Sequence, residues 1–273
     1  MSERSLSVAD GPAFVSLMKR YVVDYTNSHD QSQTAGIMVP EYTLRMGEHT
    51  VIGRDGAYAQ ATRRQLEQFP GLGLTVHEIC TSGERLAMRF SEHGMSTRHA
   101  GARAAWGGIG LYRWNGSQLT SNYVEQDYFA RAAQLASGLA RPVEPPAIAP
   151  WNTQAEPPDE RASQVVRDWL AAGGLTETAG VSCDDGWAGA TVCQIIKQSS
   201  VTINDLFSCG SCVAFHAAQH GALTADFAKT PAEIGRKVTL HVAGIVQVGH
   251  GEVKSGRIIR NRLDLRRSLD RQP

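Results

Sequence analysis

Two segments of this chain read alike, and their likeness limits the architecture more than any other feature. Residues 74–94 read LTVHEICTSGERLAMRFSEHG, and residues 201–221 read VTINDLFSCGSCVAFHAAQHG. Without a gap, Thr75, Gly83, Ala87, His93 and Gly94 recur as Thr202, Gly210, Ala214, His220 and Gly221. The remaining positions largely keep their type: Val76 with Ile203, Glu78 with Asp205, Ile79 with Leu206, Leu86 with Val213. A long motif that recurs once implies a duplicated domain rather than a solenoid. Each copy consists of two apolar runs around a glycine-containing turn, which predicts a β-hairpin in each half.

The turn of the second copy is SCGSC, and it brings Cys209, Cys212, His216 and His220 into one short stretch. On an extended strand His216 and His220 lie four residues apart, roughly 13 Å at ~3.3 Å per residue, too far for one ion. A zinc finger needs a longer spacer between its cysteine and histidine pairs. A redox dithiol needs a following helix N-terminus to depress a thiol pKa, and a strand follows instead. The segment reads as a turn, with no metal.

Six of the eleven prolines fall within RPVEPPAIAPWNTQAEPP, residues 141–158. Such a stretch is extended and hosts neither helix nor sheet. It divides the chain into a first domain at 1–137, a linker at 138–160 and a shorter second domain at 161–273. With 42% hydrophobic and 20% charged residues, either half can bury a core. Lys+Arg and Asp+Glu both number 27, so no charge excess favours nucleic acid or an anionic membrane. The basic tail GRIIRNRLDLRRSLDR is interrupted by acids and reads as a solvated face. No apolar run suits a signal peptide or a membrane span. Five cysteines without an export signal suggest a reduced, cytoplasmic protein.

The first half opens with an amphipathic helix, AFVSLMKRYVVDYTNSHD, with Phe14, Leu17, Met18, Tyr21 and Val22 at helical spacing. A short strand pair around EYTLRMGEHTVIG follows, then a second helix, RDGAYAQATRRQLEQF, stopped at Pro70 and Gly71. The hairpin, a variable loop MSTRHAGARA and two further strands joined by an NGS turn complete the half. Helices gathered on one face of an antiparallel sheet define an α+β fold.

NSHDQSQTAGIMVPEYTLRMG…GRDGAYAQATRRQLEQFPGLGLTVHEI resembles the SnoaL-like polyketide cyclases of the nuclear-transport-factor-2-like superfamily. SNYVEQDYFARAAQL resembles their closing strand, with Tyr123, Asp127, Gln134 and Leu135 at matching positions. HGALTADFAKTPAEIGRKVTLHVAGIV resembles their middle segment. The resemblance implies two tandem cone-shaped domains, each a strongly bent sheet wrapped around helices, packed as an intrachain pseudo-dimer. Further homo-oligomers are compatible with it. The fold itself hosts lyases, isomerases, hydrolases and plain binders, so it does not select a chemistry.

The second copy spends fewer residues before its hairpin, keeping only CDDGWAGATVCQIIKQ there. Matching Asn122 with Asn261 puts Arg262 opposite Tyr123 and Arg266 opposite Asp127. The site is therefore expected in the first domain. The resemblance makes Asp127 the candidate acid/base beside a carbonyl, which needs an apolar pocket to raise its pKa; capping the helix YFARAAQL is the alternative role. His99, in the variable loop, is a candidate proton relay. His93 ends a strand at the position shared with His220, which suits structure as well as catalysis. Arg45 and His49 flank the short strand pair and are candidates for substrate oxygens. Trp106, Tyr112 and Tyr123 are candidate pocket walls, or core. The expected activity is cofactor-independent proton transfer, of cyclase, lyase or isomerase type, on a hydrophobic aromatic or polyketide-like carbonyl compound. An epoxide hydrolase and a non-catalytic binding or assembly module are the alternatives.

Overall fold

The computed structural model describes residues 6–175, 178–184, 186 and 193–271. The first half runs α1 (Gly11–Arg20), α2 (Thr34–Ile37), β1 (Met38–Met46), β2 (His49–Ile52), α3 (Ala59–Gln68), β3 (Gly73–Thr81), β4 (Arg85–Met95), β5 (Arg103–Trp114), β6 (Leu119–Gln126) and α4 (Tyr128–Ser137). The second runs α5 (Glu160–Ala171), β7 (Val181–Cys183), β8 (Ile196–Cys209), β9 (Cys212–Leu223), β10 (Lys237–Gly249), β11 (Glu252–Arg260) and α6 (Arg262–Arg271). The fold is α+β, with two separate sheets ordered β2-β1-β6-β5-β4-β3 and β7-β11-β10-β9-β8. Neighbouring strands are antiparallel except β1–β6 and β7–β11, which are parallel. The reduced stretch CDDGWAGATVCQIIKQ holds the last residue of β7 and the start of β8; residues 185 and 187–192 within it lie outside the described residues.

Each sheet curls around a helix because that helix has one apolar face. Phe14, Val15, Leu17 and Met18 of α1 are buried, and the face continues through a π-helical turn at Tyr21–Asn27 to Val22 and Tyr25. Burying each such side chain stabilises by about 1.5–3 kcal/mol, which fixes the helix in the sheet's concavity. Phe14 stacks on Trp114 at 4.5 Å between ring centres. In the second half Val166 and Leu170 of α5 do the same, and the Asp159 carboxylate caps the helix by accepting from the Arg161 and Ala162 amides.

The two hairpins of the repeat are the β3–β4 and β8–β9 pairs. Gly83 and Gly210 both have positive φ in their turns, a conformation that favours glycine. SCGSC is a two-residue turn, with Cys209 facing Cys212 across the strands. One correspondence read from the sequence needs correcting. Asp127, not Asn122, is the counterpart of Asn261. The Asp127 amide donates to Gly107 O, and the Asn261 amide to His241 O. Asp127 Oδ1 accepts from the Ala130 amide, and Asn261 Oδ1 from the Asp264 amide. Both residues end a closing strand by capping the helix after it, a role that residue identity alone conceals.

The sheets meet through the faces turned away from those helices. Cys80, Ala87, Ile109 and Leu111 of the first pack with Phe207, Cys209, Cys212, Ala214, Ala243, Ile245 and Ile259 of the second as one buried cluster. Polar ties ring it. Asp205 binds both Arg85 and Arg113, Glu125 accepts from His216 Nε2 at 2.8 Å and from Asn261 Nδ2 at 2.8 Å, and Glu144 pairs with both Arg89 and Arg257. The proline-rich stretch runs along this seam, and contrary to the expectation of a wholly extended segment it makes one 3-10 turn at Pro150–Asn152, closed by the Thr153 amide donating to Pro150 O. Its Ala147 amide donates to Val76 O and its Glu156 amide to Thr81 O, while Pro157 O accepts from the Gly210 amide.

Candidate active site

A cavity of about 230 Å³ opens inside the first half, between the π-helical turn Tyr21–Asn27, α3 and the inner face of the sheet. That is just below the ~300 Å³ at which ligand pockets usually begin, so the space suits a compact molecule. Its walls are aromatic and aliphatic: Tyr21 and Tyr25 from the π-helical turn, Tyr58 ahead of α3, Tyr128 opening α4, and Leu44, Met46 and Val51 from β1 and β2. Strand alternation explains the aliphatic side, since Leu44 and Met46 project on the same face. His49 stands at the mouth, its side chain 65% exposed and 3.3 Å from Asp264 Oδ1.

One carboxyl group reaches into this space. On β4, Leu86, Met88, Phe90 and Glu92 alternate onto the concave face, and the first three are core. Glu92 is itself buried and lines the cavity with Gln65 and Gln126. Gln65 Nε2 donates to Glu92 Oε2 at 2.6 Å. Burial pushes the Glu92 carboxyl up to about 7, only partly opposed by the Arg131 charge and the Gln65 hydrogen bond. Arg131 itself stacks on Tyr128, 4.0 Å from the ring centre, and on Trp106 at 5.0 Å. Trp106 Nε1 donates to Gln126 Oε1 at 2.7 Å, which fixes the amide beside the acid.

The tyrosine hydroxyls keep their protons. Burial raises the Tyr21, Tyr25, Tyr58 and Tyr128 pKa values above the usual phenol range. Tyr25 Oη donates to Thr62 Oγ1 at 3.2 Å. The site thus holds a carboxyl poised near neutrality among neutral hydrogen-bond donors. Such a set can take a proton from carbon and return it, with phenols to hold the charge that develops on oxygen.

The residues singled out from sequence are dispersed. Of Asp127, His99, His93, Arg45, His49, Trp106, Tyr112 and Tyr123, the cavity lining includes only His49. Asp127 is fully buried, caps α4 and pairs with Arg262 Nη2 at 2.5 Å. His99 is exposed in the loop after β4, its Nδ1 2.9 Å from Ser96 Oγ. His93 lies on the opposite strand face from Glu92, with Nε2 3.4 Å from Thr75 Oγ1; its counterpart His220 makes the same contact to Thr202 at 3.1 Å. Arg45 covers the Tyr123 ring at 5.3 Å, and Tyr123 packs on His216 of the other half at 4.7 Å. Trp106 and Tyr112 are core residues that support cavity residues, Tyr112 contacting Tyr21 at 5.9 Å.

In the sequence Glu92 is masked by its neighbour His93, the more conspicuous titratable residue on the same strand. Two signals identify it: it is in phase with Leu86, Met88 and Phe90, and it is matched by an uncharged residue, Gln219, in the second copy.

Residues 19–122 match the family model described as the SnoaL-like domain. No curated protein matches the chain. Among solved structures, the chain is similar to a Jannaschia sp. CCS1 protein assigned as a SnoaL-like polyketide cyclase, at 14% identity and TM-score 0.43, covering 50% of this chain and 99% of that one. It is similar to TsrD from Streptomyces laurentii at 20% identity and TM-score 0.41, over 46% of this chain and 96% of that one. A third neighbour is an LEH-like epoxide hydrolase from M. tuberculosis, at 13% identity and TM-score 0.39, over 46% and 86% of the two chains. Among the described residues, no helix is long and apolar enough to cross a membrane.

Proposed function

Because the first half of this chain carries a SnoaL-like domain, we propose that it is a cofactor-independent acid–base enzyme in which Glu92 moves a proton next to a carbonyl group. The reaction is of the cyclase, lyase or isomerase type, and the substrate is a compact aromatic or polyketide-like compound. The observation that carries this reading is a single buried carboxyl, raised to about 7, inside a tyrosine-lined cavity. At neutral pH such a group is divided between its two forms, so it can accept a proton in one step and donate it in the next.

The assignments follow from position. Glu92 is the base and then the acid. Gln65 orients it through the 2.6 Å hydrogen bond. The neutral phenols of Tyr21, Tyr58 and Tyr128 supply donors to the enolate oxygen, in surroundings where water is scarce and such bonds strengthen. Asp127 is a helix cap and an ion-pair partner in this reading. The second half serves as scaffold, because the Gln219 amide at the position of Glu92 does not titrate and cannot act as acid or base.

The test is a screen of wild type and Glu92→Gln by thermal shift and turnover against aryl ketones, hydroxyketones and polyketide-like aromatics. One class should stabilise both proteins and be consumed only by wild type. Binding without turnover in both would replace catalysis with a small-molecule-binding role.

A further inference from the structure

We propose that Cys80, Cys209 and Cys212 form a zinc-type site that staples the two halves of the chain together. The proposal is independent of the catalytic reading. The sequence offered only the SCGSC turn, and His216 and His220 could not complete a ligand set. The fold supplies a third sulfur from elsewhere: Cys80, near the end of β3, meets the turn of the other hairpin across the seam. The three Sγ atoms lie within 4.8 Å of one another, and all three side chains are buried. A tetrahedral zinc with Zn–S bonds of ≈ 2.3 Å holds its sulfurs about 3.8 Å apart, so a small inward movement brings three of the four ligands into place and leaves the fourth position to water.

The electrostatic setting favours a cation. The three thiols hydrogen-bond among themselves. A divalent ion binds such a set by displacing the thiol protons. Glu78 and Glu156 add negative potential at Cys209. The pseudo-symmetric counterpart is built differently. There Phe207, Ser82 and Arg85 stand where the trio has Cys80, Cys209 and Cys212. The Arg85 guanidinium lies over the Phe207 ring at 4.7 Å and pairs with Asp205. One side of the seam thus carries its own positive charge against Asp205. On the other side the counterpart of Asp205 is Glu78, which pairs with Arg89 at 3.2 Å, and the counterpart of Arg85 is a thiol.

Three soft sulfurs select zinc, or a like thiophilic ion, over magnesium or calcium. Three thiolates around a divalent ion leave one net negative charge, against two around copper(I). The lower charge suits surroundings of Ile109, Leu111 and Ile245.

The full chain, reduced and stripped with a chelator, is titrated with Co²⁺ as the spectroscopic probe. The expected result is one equivalent bound per chain, with an intense thiolate-to-cobalt charge-transfer band and tetrahedral d–d bands. Zn²⁺ should displace the cobalt and raise Tm. The band should be lost in Cys80→Ser and in Cys209→Ser, and retained in Cys193→Ser. Should the serine variants fail to fold, wild type is probed with a thiol reagent in urea just below its unfolding midpoint, where the buried thiols are transiently exposed: Zn²⁺ should slow the modification of three of the five cysteines. A wild type that gives no charge-transfer band, a band that survives Cys80→Ser, or thiol reactivity unmoved by Zn²⁺ would each overturn the proposal.

Discussion

Glu92 and Gln219 occupy the same place in the two copies of the fold. Each is buried on the second strand of its hairpin; Glu92 pairs with Trp106 of β5, and Gln219 with Leu240 of β10. The copies therefore differ at this point by the exchange of one atom, an oxygen for a nitrogen. That exchange separates a group that titrates near neutrality from one that never titrates.

Glu92→Gln places the second copy's residue in the first copy's cavity. The amide fills the carboxyl's volume and can still hydrogen-bond Gln65, so ligand affinity should change by less than tenfold. Turnover should fall about 10²–10⁴-fold, the usual contribution of a positioned acid–base group. Parallel measurement of kcat and of the ligand dissociation constant separates the two effects; equal loss of both would show that Glu92 binds rather than reacts.

The same variant should change stability in a pH-dependent way. The folded-state pKa of Glu92 is raised from 4.5 to about 7. Between those values the folded chain binds more protons than the unfolded one, so stability falls as pH rises. Below pH ~4.5 the carboxyl is neutral in both states and carries no penalty. Above pH ~7 the full cost applies, on the order of 3 kcal/mol. Urea midpoints of wild type and Glu92→Gln should thus lie close together at pH 4.5, and the variant should be the more stable at pH 8. Parallel curves across that range would contradict a buried, titrating Glu92.

Much of the fold was legible because it is locally encoded. The hairpin repeat, the NGS turn and the α1 face depend on neighbours in the chain, and each appears where the spacing put it. The site was less legible for two physical reasons. First, adjacent strand residues face opposite sides, so His93 and Glu92 belong to different environments though they are neighbours. Second, an Asp before a helix looks the same whether it caps or catalyses. What distinguishes the two is Arg262, brought to Asp127 by the packing of the halves. The cysteine trio and the Glu125–His216 contact are likewise products of that packing, and no local pattern announces them.

Asp127→Asn tests the cap assignment. The amide oxygen still accepts from Ala130, but the charge facing Arg262 is gone. Loss of one charge-assisted hydrogen bond should cost about 1.5–3 kcal/mol. Activity should remain within about threefold of wild type, since the cavity is untouched. A large fall in kcat without a shift in the urea midpoint would instead return Asp127 to the chemistry.

The seam between the halves should be most sensitive at Asp205. This buried carboxylate from β8 pairs with Arg85 and with Arg113, both from the first half. The Arg85 side chain is only 10% exposed, whereas Arg113 is 50% exposed and can turn to water. Asp205→Ala therefore strands one buried guanidinium, at a cost of about 3–5 kcal/mol. Replacing the pair together, Arg85→Met with Asp205→Leu, removes both charges from the low-dielectric seam and should recover most of that loss. Urea unfolding of the two variants decides the matter. If Asp205→Ala is as stable as wild type, the halves are held by the apolar cluster alone and Arg85 reaches solvent when its partner is removed.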